Sequence, residues 1–196
     1  MTIKRMLMLL LLTVSAFMTL GCHHGKVEQG RVIAYDKTNG LVTIIRDSTP
    51  TAARPTYDAL PPLTVKVPAD PTEMGEPPES GKRLVFDTQA RKLVVYDSGS
   101  GVLRTVIYTP VIELSNVAGY DPRVKGVKFP IVDREKKTIT LYSPRDKKLV
   151  TFTVADEHFA LPDDTWKAGD EIRYYYKEPG QALRLMNVTK TDIMKG

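Results

Sequence analysis

Short segments rich in Val, Ile, Thr, Tyr and Phe recur about every ten residues along this chain. They fall at 31 to 35, 40 to 46, 62 to 67, 82 to 87, 92 to 96, 102 to 108, 127 to 132, 137 to 142, 148 to 154, 170 to 177 and 182 to 188. Many alternate apolar with polar positions, and turn residues such as Asp36 to Gly40, Asp97 to Gly101 and Glu178 to Gly180 separate them, which predicts half-buried strands joined by tight connections. The best helical stretch, 156 to 167, is interrupted by Pro162. The pattern therefore predicts an all-β body.

The strand pattern also repeats itself. Residues 32 to 45 lie over 129 to 142, with Asp36 on Asp133, Thr43 on Thr140 and Ile44 on Leu141. Thr64 to Val67 then falls on Thr151 to Val154, and Gly81 to Phe86 on Gly169 to Tyr174. Either the chain is a tandem duplication or it holds two hairpins that converged on one pattern. Under duplication the boundaries are a first β-barrel-like domain at 30–116, a linker at 117–126 with Gly119, Pro122 and Gly126, and a second domain at 127–196. Eight of the fourteen prolines lie between Pro50 and Pro78. Each removes a ladder donor, so this stretch is loop and edge material, and the loops 47 to 63 and 68 to 81 are the expected contact surfaces.

Ahead of the strands stands a different pattern. Lys4 and Arg5 precede an apolar stretch around Leu7 to Met18, followed by Gly21 and the chain's single cysteine, Cys22. This resembles the signal peptide of bacterial lipoproteins, although Thr19 stands where leucine is usual. The resemblance implies cleavage after residue 21, lipid on Cys22, a tether at 22–29 and a permanent membrane anchor. His23 after the cysteine implies transfer to the outer membrane, with the body facing the periplasm. The alternative is an ordinary signal peptide that leaves Cys22 as a free thiol.

Charge adds an exclusion. The whole chain carries +5, and loss of Lys4 and Arg5 with the leader leaves +3. Its cations are interspersed with acids, as at Glu135 to Lys137, which is a solvated surface and no nucleic-acid footprint.

Two further resemblances concern the body. The run from Asp133 through KTITLY, KKLVTFTV, Gly169 to Ile172 and Ala182 to Val188 is similar to small OB-like barrels, in particular periplasmic copper chaperones. That likeness implies two OB-like β-barrels in tandem, but the chaperones' histidine and methionine ligands do not carry over: Tyr142, Ser143, Lys148 and Val150 stand there instead. Over its whole length the chain resembles a family of uncharacterised lipoproteins from sulfate-reducing bacteria, through GKVEQGRVIAYDK, LPPLTVKVPADPTEMGEPPESGKR, KFPIVDREKKTITLYS and YYYKEPGQALRLMNVTKTDI. This family is a domain of unknown function and implies no mechanism.

Candidate chemistry is sparse. His23 and His24 are adjacent and lack a fixed geometry, and His158 among Asp156, Glu157, Asp163 and Asp164 reads as a solvated turn, so neither metal nor cofactor is expected. There is no GxSxG, HExxH or phosphate-binding glycine loop, so an enzyme is not expected. The tyrosine run is more informative: alternation puts Tyr174 and Tyr176 on one strand face, Arg173 and Tyr175 on the other. One face fills a core. The other either packs under the Pro-rich loop or presents Tyr175 beside Arg173 to a ligand, with Trp166 nearby as a barrel plug or a second platform. The expectation is a non-catalytic envelope lipoprotein, a binding or scaffolding module whose partners are the membrane and an envelope protein. The alternative is a periplasmic metal or small-ligand binding protein.

Overall fold

A computed structural model of the chain describes residues 25–49 and 55–191. The expected signal peptide and Cys22 lie outside the described residues. The described residues form twelve strands: β1 Lys26–Asp36, β2 Leu41–Arg46, β3 Ala59–Lys66, β4 Arg83–Asp87, β5 Lys92–Asp97, β6 Val102–Ile107, β7 Thr109–Leu114, β8 Ile131–Asp133, β9 Thr138–Ser143, β10 Lys148–Thr153, β11 Glu171–Tyr176 and β12 Arg184–Asn187. An α-helix, α1 Asp156–Phe159, the only one among the described residues, and a 3-10 turn at Asp163–Thr165 are all that forms of the helical stretch, split at Pro162 as its chemistry requires. The protein is all-β.

Local hairpin chemistry accounts for the strand pairs. In β1–β2, β4–β5, β5–β6, β8–β9 and β9–β10, four turn residues follow the last strand residue, and the fourth has positive φ: Gly40, Arg91, Gly101, Lys137 and Lys147. In four of these turns the preceding residue is aspartate, whose carboxylate accepts turn amides, as Asp87 does from Gln89 and Ala90 and Asp133 from Glu135 and Lys136. Lys147 holds the left-handed conformation at φ 50° without needing its side chain there. Lys147→Gly is therefore expected to stabilise the protein by roughly 0.5–1 kcal/mol, read as a rise in the urea midpoint.

The same carboxylates make stability depend on pH. The Ser100 hydroxyl, the Arg104 guanidinium and the Gly99 amide pull Asp97 down to about 2, and turn amides hold Asp36 and Asp133 below the usual carboxylate range. A depressed folded pKa means that the unfolded chain binds more protons, so the contribution is full above about pH 4 and is lost as pH falls towards 2. Urea midpoints measured across that window are expected to fall, and Asp97→Asn to flatten the fall.

The repeat has a structural counterpart. Thr43 faces Thr64 across β2–β3 with hydroxyls 3.0 Å apart, and Thr140 faces Thr151 across β9–β10 at 2.8 Å. The larger assembly differs from two tandem barrels. The strands form a five-stranded sheet β12-β11-β1-β2-β3, a four-stranded sheet β7-β10-β9-β8 and a three-stranded sheet β4-β5-β6, all antiparallel. None closes into a barrel. In the five-stranded sheet, a parallel bridge from Lys66 to Gln181 draws the two edges together but is too short to be a seam. Pro61 and Pro62 sit in β3, which is an edge strand, as their missing donors demand.

Packing crosses the expected linker in both directions. One core joins Val32, Val42, Ile44 and Val65 to Ile172, Tyr174, Ala182 and Leu185. The other joins Leu93, Val95, Val106 and Tyr108 to Ile139, Leu141, Val150, Phe152 and Trp166. Each copy's opening strands thus pack with the other copy's closing ones. A third cluster, Ile33, Ile45, Tyr57 and Leu84, ties β1 and β2 to β4. The 117–126 connection is docked: Val117 is fully buried, its N–H donates to the Lys147 carbonyl, and its own carbonyl accepts from the Tyr142 hydroxyl at 2.9 Å. Likewise 26–29 of the expected tether is strand, paired from Lys26 to Tyr176 onward.

β7 is absent from the predicted strands because Pro110 follows Thr109 directly. The structure accommodates Pro110 because β7 is an edge, with a register shift opposite it between Thr151 and Phe152.

Candidate functional site

A cleft of about 640 Å³ opens where the three sheets meet, walled by β1, β4 to β6, the β9–β10 turn and residues 55–58. Its position follows from the strand exchange, which brings β1 and the loop before β11 against β4. Among the described residues, three arginines and Lys92 line it; Arg145 is exposed, whereas Arg31 and Arg83 are half-buried. Arg31, on β1, stacks on the Tyr57 ring at 4.6 Å, donates through Nη1 to the Gly169 carbonyl at 2.9 Å and lies 3.5 Å from the Tyr57 hydroxyl. Its Nε is buried with no partner. Arg83, on β4, lies over the Phe86 ring at 5.6 Å and donates through Nε to the Trp166 carbonyl at 2.8 Å. Both guanidinium groups therefore brace the 166–169 loop.

The electrostatics are one-sided at this pair. Among the described residues no carboxylate lies within ion-pair distance of either arginine. Glu171 is the cross-strand neighbour of Arg31, yet its carboxylate accepts the Tyr57 hydroxyl. Burial, and then the like charge of Arg31, pull Arg83 down to about 9. A guanidinium still stays protonated at neutral pH, so the shift expresses a cation short of a counter-charge. Burial chiefly, with Glu171 adding, raises the Tyr57 phenol well above its ordinary value, so Tyr57 is a neutral hydrogen-bonding group. The acids of the lining have other partners: Asp58 accepts from the Thr56 hydroxyl, Asp87 from its own turn amides, and Asp146 from Thr88 and Ser143. The rest of the wall includes Val94, Leu103 and Phe86.

The residues singled out in the sequence fall elsewhere. Trp166 is fully buried in the second core, so it is a plug and no surface platform. Its carbonyl, and not its ring, reaches Arg83. Tyr174 and Tyr176 do share a face, with both hydroxyls donating to Glu28. On the opposite face Arg173 is exposed and its guanidinium donates to Gln29 at 2.8 Å, while Tyr175 is half-buried beside Gly25. Tyr175 borders only a shallow depression with Glu73, Leu183 and Arg184. Around His158 the acids form surface ion pairs, Asp156 with Lys137 and Asp163 with Arg134, and no metal-sized group of His, Cys, Asp and Glu occurs among the described residues.

Both Pro-rich loops are partly built in. Asp47 accepts the Thr49 and Thr56 amides at 3.0 and 3.1 Å, cinching the base of 47–63, and Tyr57 beyond it is buried. The 68–81 loop is strapped along β12 by the Gly75 N–H on the Leu185 carbonyl and is held to the 166–170 segment by Glu79. Sequence reasoning passed over Arg31 and Arg83 because each stands at the polar start of an apolar run, Val32 to Ala34 and Leu84 to Phe86, where a solvent-facing cation is commonplace. Arg83 follows Lys82 directly, which masks it further.

Fold and cleft together define a three-sheet, all-β protein with a cation-bearing cavity. The chain belongs to the family described as domain of unknown function DUF4881, whose family model matches residues 23–196. No curated protein and no solved structure matches it.

Proposed function

We propose that this protein is a non-catalytic binding module held at the cell envelope by lipid on Cys22, and that the cleft among the three sheets is its binding site. The observation that carries this reading is the cleft itself: about 640 Å³, apolar over much of its wall, with two stacked arginines and a neutral phenol as its oriented polar groups. That is the composition of a small-molecule site. Among the described residues its lining holds no histidine, and the Ser143 hydroxyl is bonded to Asp146, so no nucleophile and imidazole base converge there. The expected contact loop 47–63 enters the same picture by supplying Pro55, Thr56, Tyr57 and Asp58 to the rim.

Two measurements test the proposal. Native mass spectrometry of the chain purified from envelopes is expected to show a bound small molecule that denaturation releases. Val94→Trp, which fills the cleft from β5, is expected to lose it. A native chain that carries nothing and takes up nothing from an envelope extract would overturn the binding role. Cys22→Ala is expected to move the protein from the membrane to the soluble fraction; unchanged membrane association would remove the anchor.

A further inference from the structure

We infer that the ligand of this cleft is a small organic oxyanion, a carboxylate or sulfonate on an apolar body, with its charged head on Arg31 and Arg83. The inference rests on the cleft being the binding site, and it adds the ligand's chemistry. Two guanidinium groups stand in one wall with no carboxylate in ion-pair distance among the described residues. Like charges held together in a half-buried place repel, and the loop they brace does not need their charge. Either hydrogen bond to the 166–169 loop, Arg31 to Gly169 or Arg83 to Trp166, is one that a neutral donor would also make. The rings of Tyr57 and Phe86 fix the two planes, which leaves the remaining N–H groups preset for an acceptor.

The buried Arg31 Nε, without a partner in the protein, is the second sign. A buried donor left unmade is costly, and an anion's oxygen beside it would relieve both the missing bond and the repulsion. The Tyr57 phenol, kept neutral and donating to Glu171, adds no negative charge of its own beside the arginines. A bare inorganic anion would satisfy the arginines but leave Val94 and Leu103 facing solvent. An apolar body attached to the charge uses both parts of the wall.

The test uses the purified full chain at constant ionic strength, with benzoate and benzenesulfonate as probes, acetate and sulfate as their small counterparts, and benzamide as the neutral isostere. Benzoate or benzenesulfonate is expected to raise the melting temperature saturably and to bind at least ten times more tightly than acetate, sulfate or benzamide. In the unmodified chain the amide signals of Leu84 and Ala168, which line the cleft, are expected to shift during titration. Arg31→Gln and Arg83→Gln are each expected to weaken binding tenfold or more, whereas Arg173→Gln, on a strand face away from the cleft, is expected to leave it unchanged. Should Arg83→Gln fail to fold, Arg31→Lys, which keeps the charge and removes the planar fork, is expected to show the same loss. Benzamide binding as well as benzoate would overturn the anion while leaving the cleft as a binding site. Sulfate binding as well as benzenesulfonate would overturn the apolar body. No response to any probe would overturn the inference without touching ligand retention from the envelope.

Discussion

Gly169→Ala is expected to cost about 4 kcal/mol, a large share of the ~5–15 kcal/mol that holds an ordinary domain folded, and to lower the urea midpoint sharply. Three main-chain segments meet at this residue. Val32 N–H donates to the Asp170 carbonyl at 2.9 Å, Gly81 N–H to the Val32 carbonyl at 3.2 Å, and Asp170 N–H to the Glu79 carbonyl at 2.8 Å. A Cβ on Gly169 would overlap the Val32 carbonyl oxygen, which is backbone and has no rotamer by which to move aside. Relief requires separating β1 from the loop before β11, and with it the Arg31 bond to the Gly169 carbonyl. Overpacking that a side chain absorbs costs less, typically about 1–3 kcal/mol. Gly119→Ala is the matched control: no atom lies within 4 Å of its Cβ position, so the urea midpoint is expected to stay within error of the unmodified protein. A midpoint for Gly169→Ala close to that of Gly119→Ala would mean that the three segments are not packed as described.

The second large effect concerns the two halves. Expressed alone, 30–116 and 127–196 are each expected to be unfolded, with collapsed amide dispersion in proton–nitrogen spectra. The first half without β11 and β12 loses Ile172, Tyr174, Ala182 and Leu185 from one core. The second half without β5 and β6 loses Leu93, Val95 and Val106 from the other. Burying a large aliphatic side chain contributes about 1.5–3 kcal/mol, so either loss is comparable to the whole stability of a domain this size. Mixing the two fragments is expected to restore dispersion, because every strand then finds its neighbour. A well-dispersed spectrum from 127–196 alone would show a self-sufficient second domain and would refute the shared cores.

What could be read from the residues was local. Hairpins declare themselves through an aspartate, a four-residue turn and alternating strands, and the residues that the repeat matched, Thr43 with Thr140 and Thr64 with Thr151, stand in the structure as two equivalent cross-strand pairs. Which hairpin packs with which is a matter of contacts between residues over a hundred positions apart, as Val32 with Ile172, and no local spacing encodes it. The same limit hid the cleft. Arg31 and Arg83 are unremarkable strand cations until the exchange sets both on the 166–169 loop. Gly81 and Gly169 held corresponding places in the repeat, and the structure sets them against one another. Trp166 illustrates the converse: its size made it conspicuous in the sequence, and size is why it is buried.

The pairing of β1 with β11 also has a meaning in time. The chain emerges from the ribosome, and crosses any membrane, amino end first, so β1 is available long before its neighbour. Residues Lys26 to Arg31 wait for Tyr176 to Glu171 with their hydrogen-bonding edge bare. Contacts of such long sequence separation form slowly, and a bare strand edge attracts other chains meanwhile. The newly made protein therefore passes through an interval in which it is most of its final length and its first sheet still lacks β11 and β12.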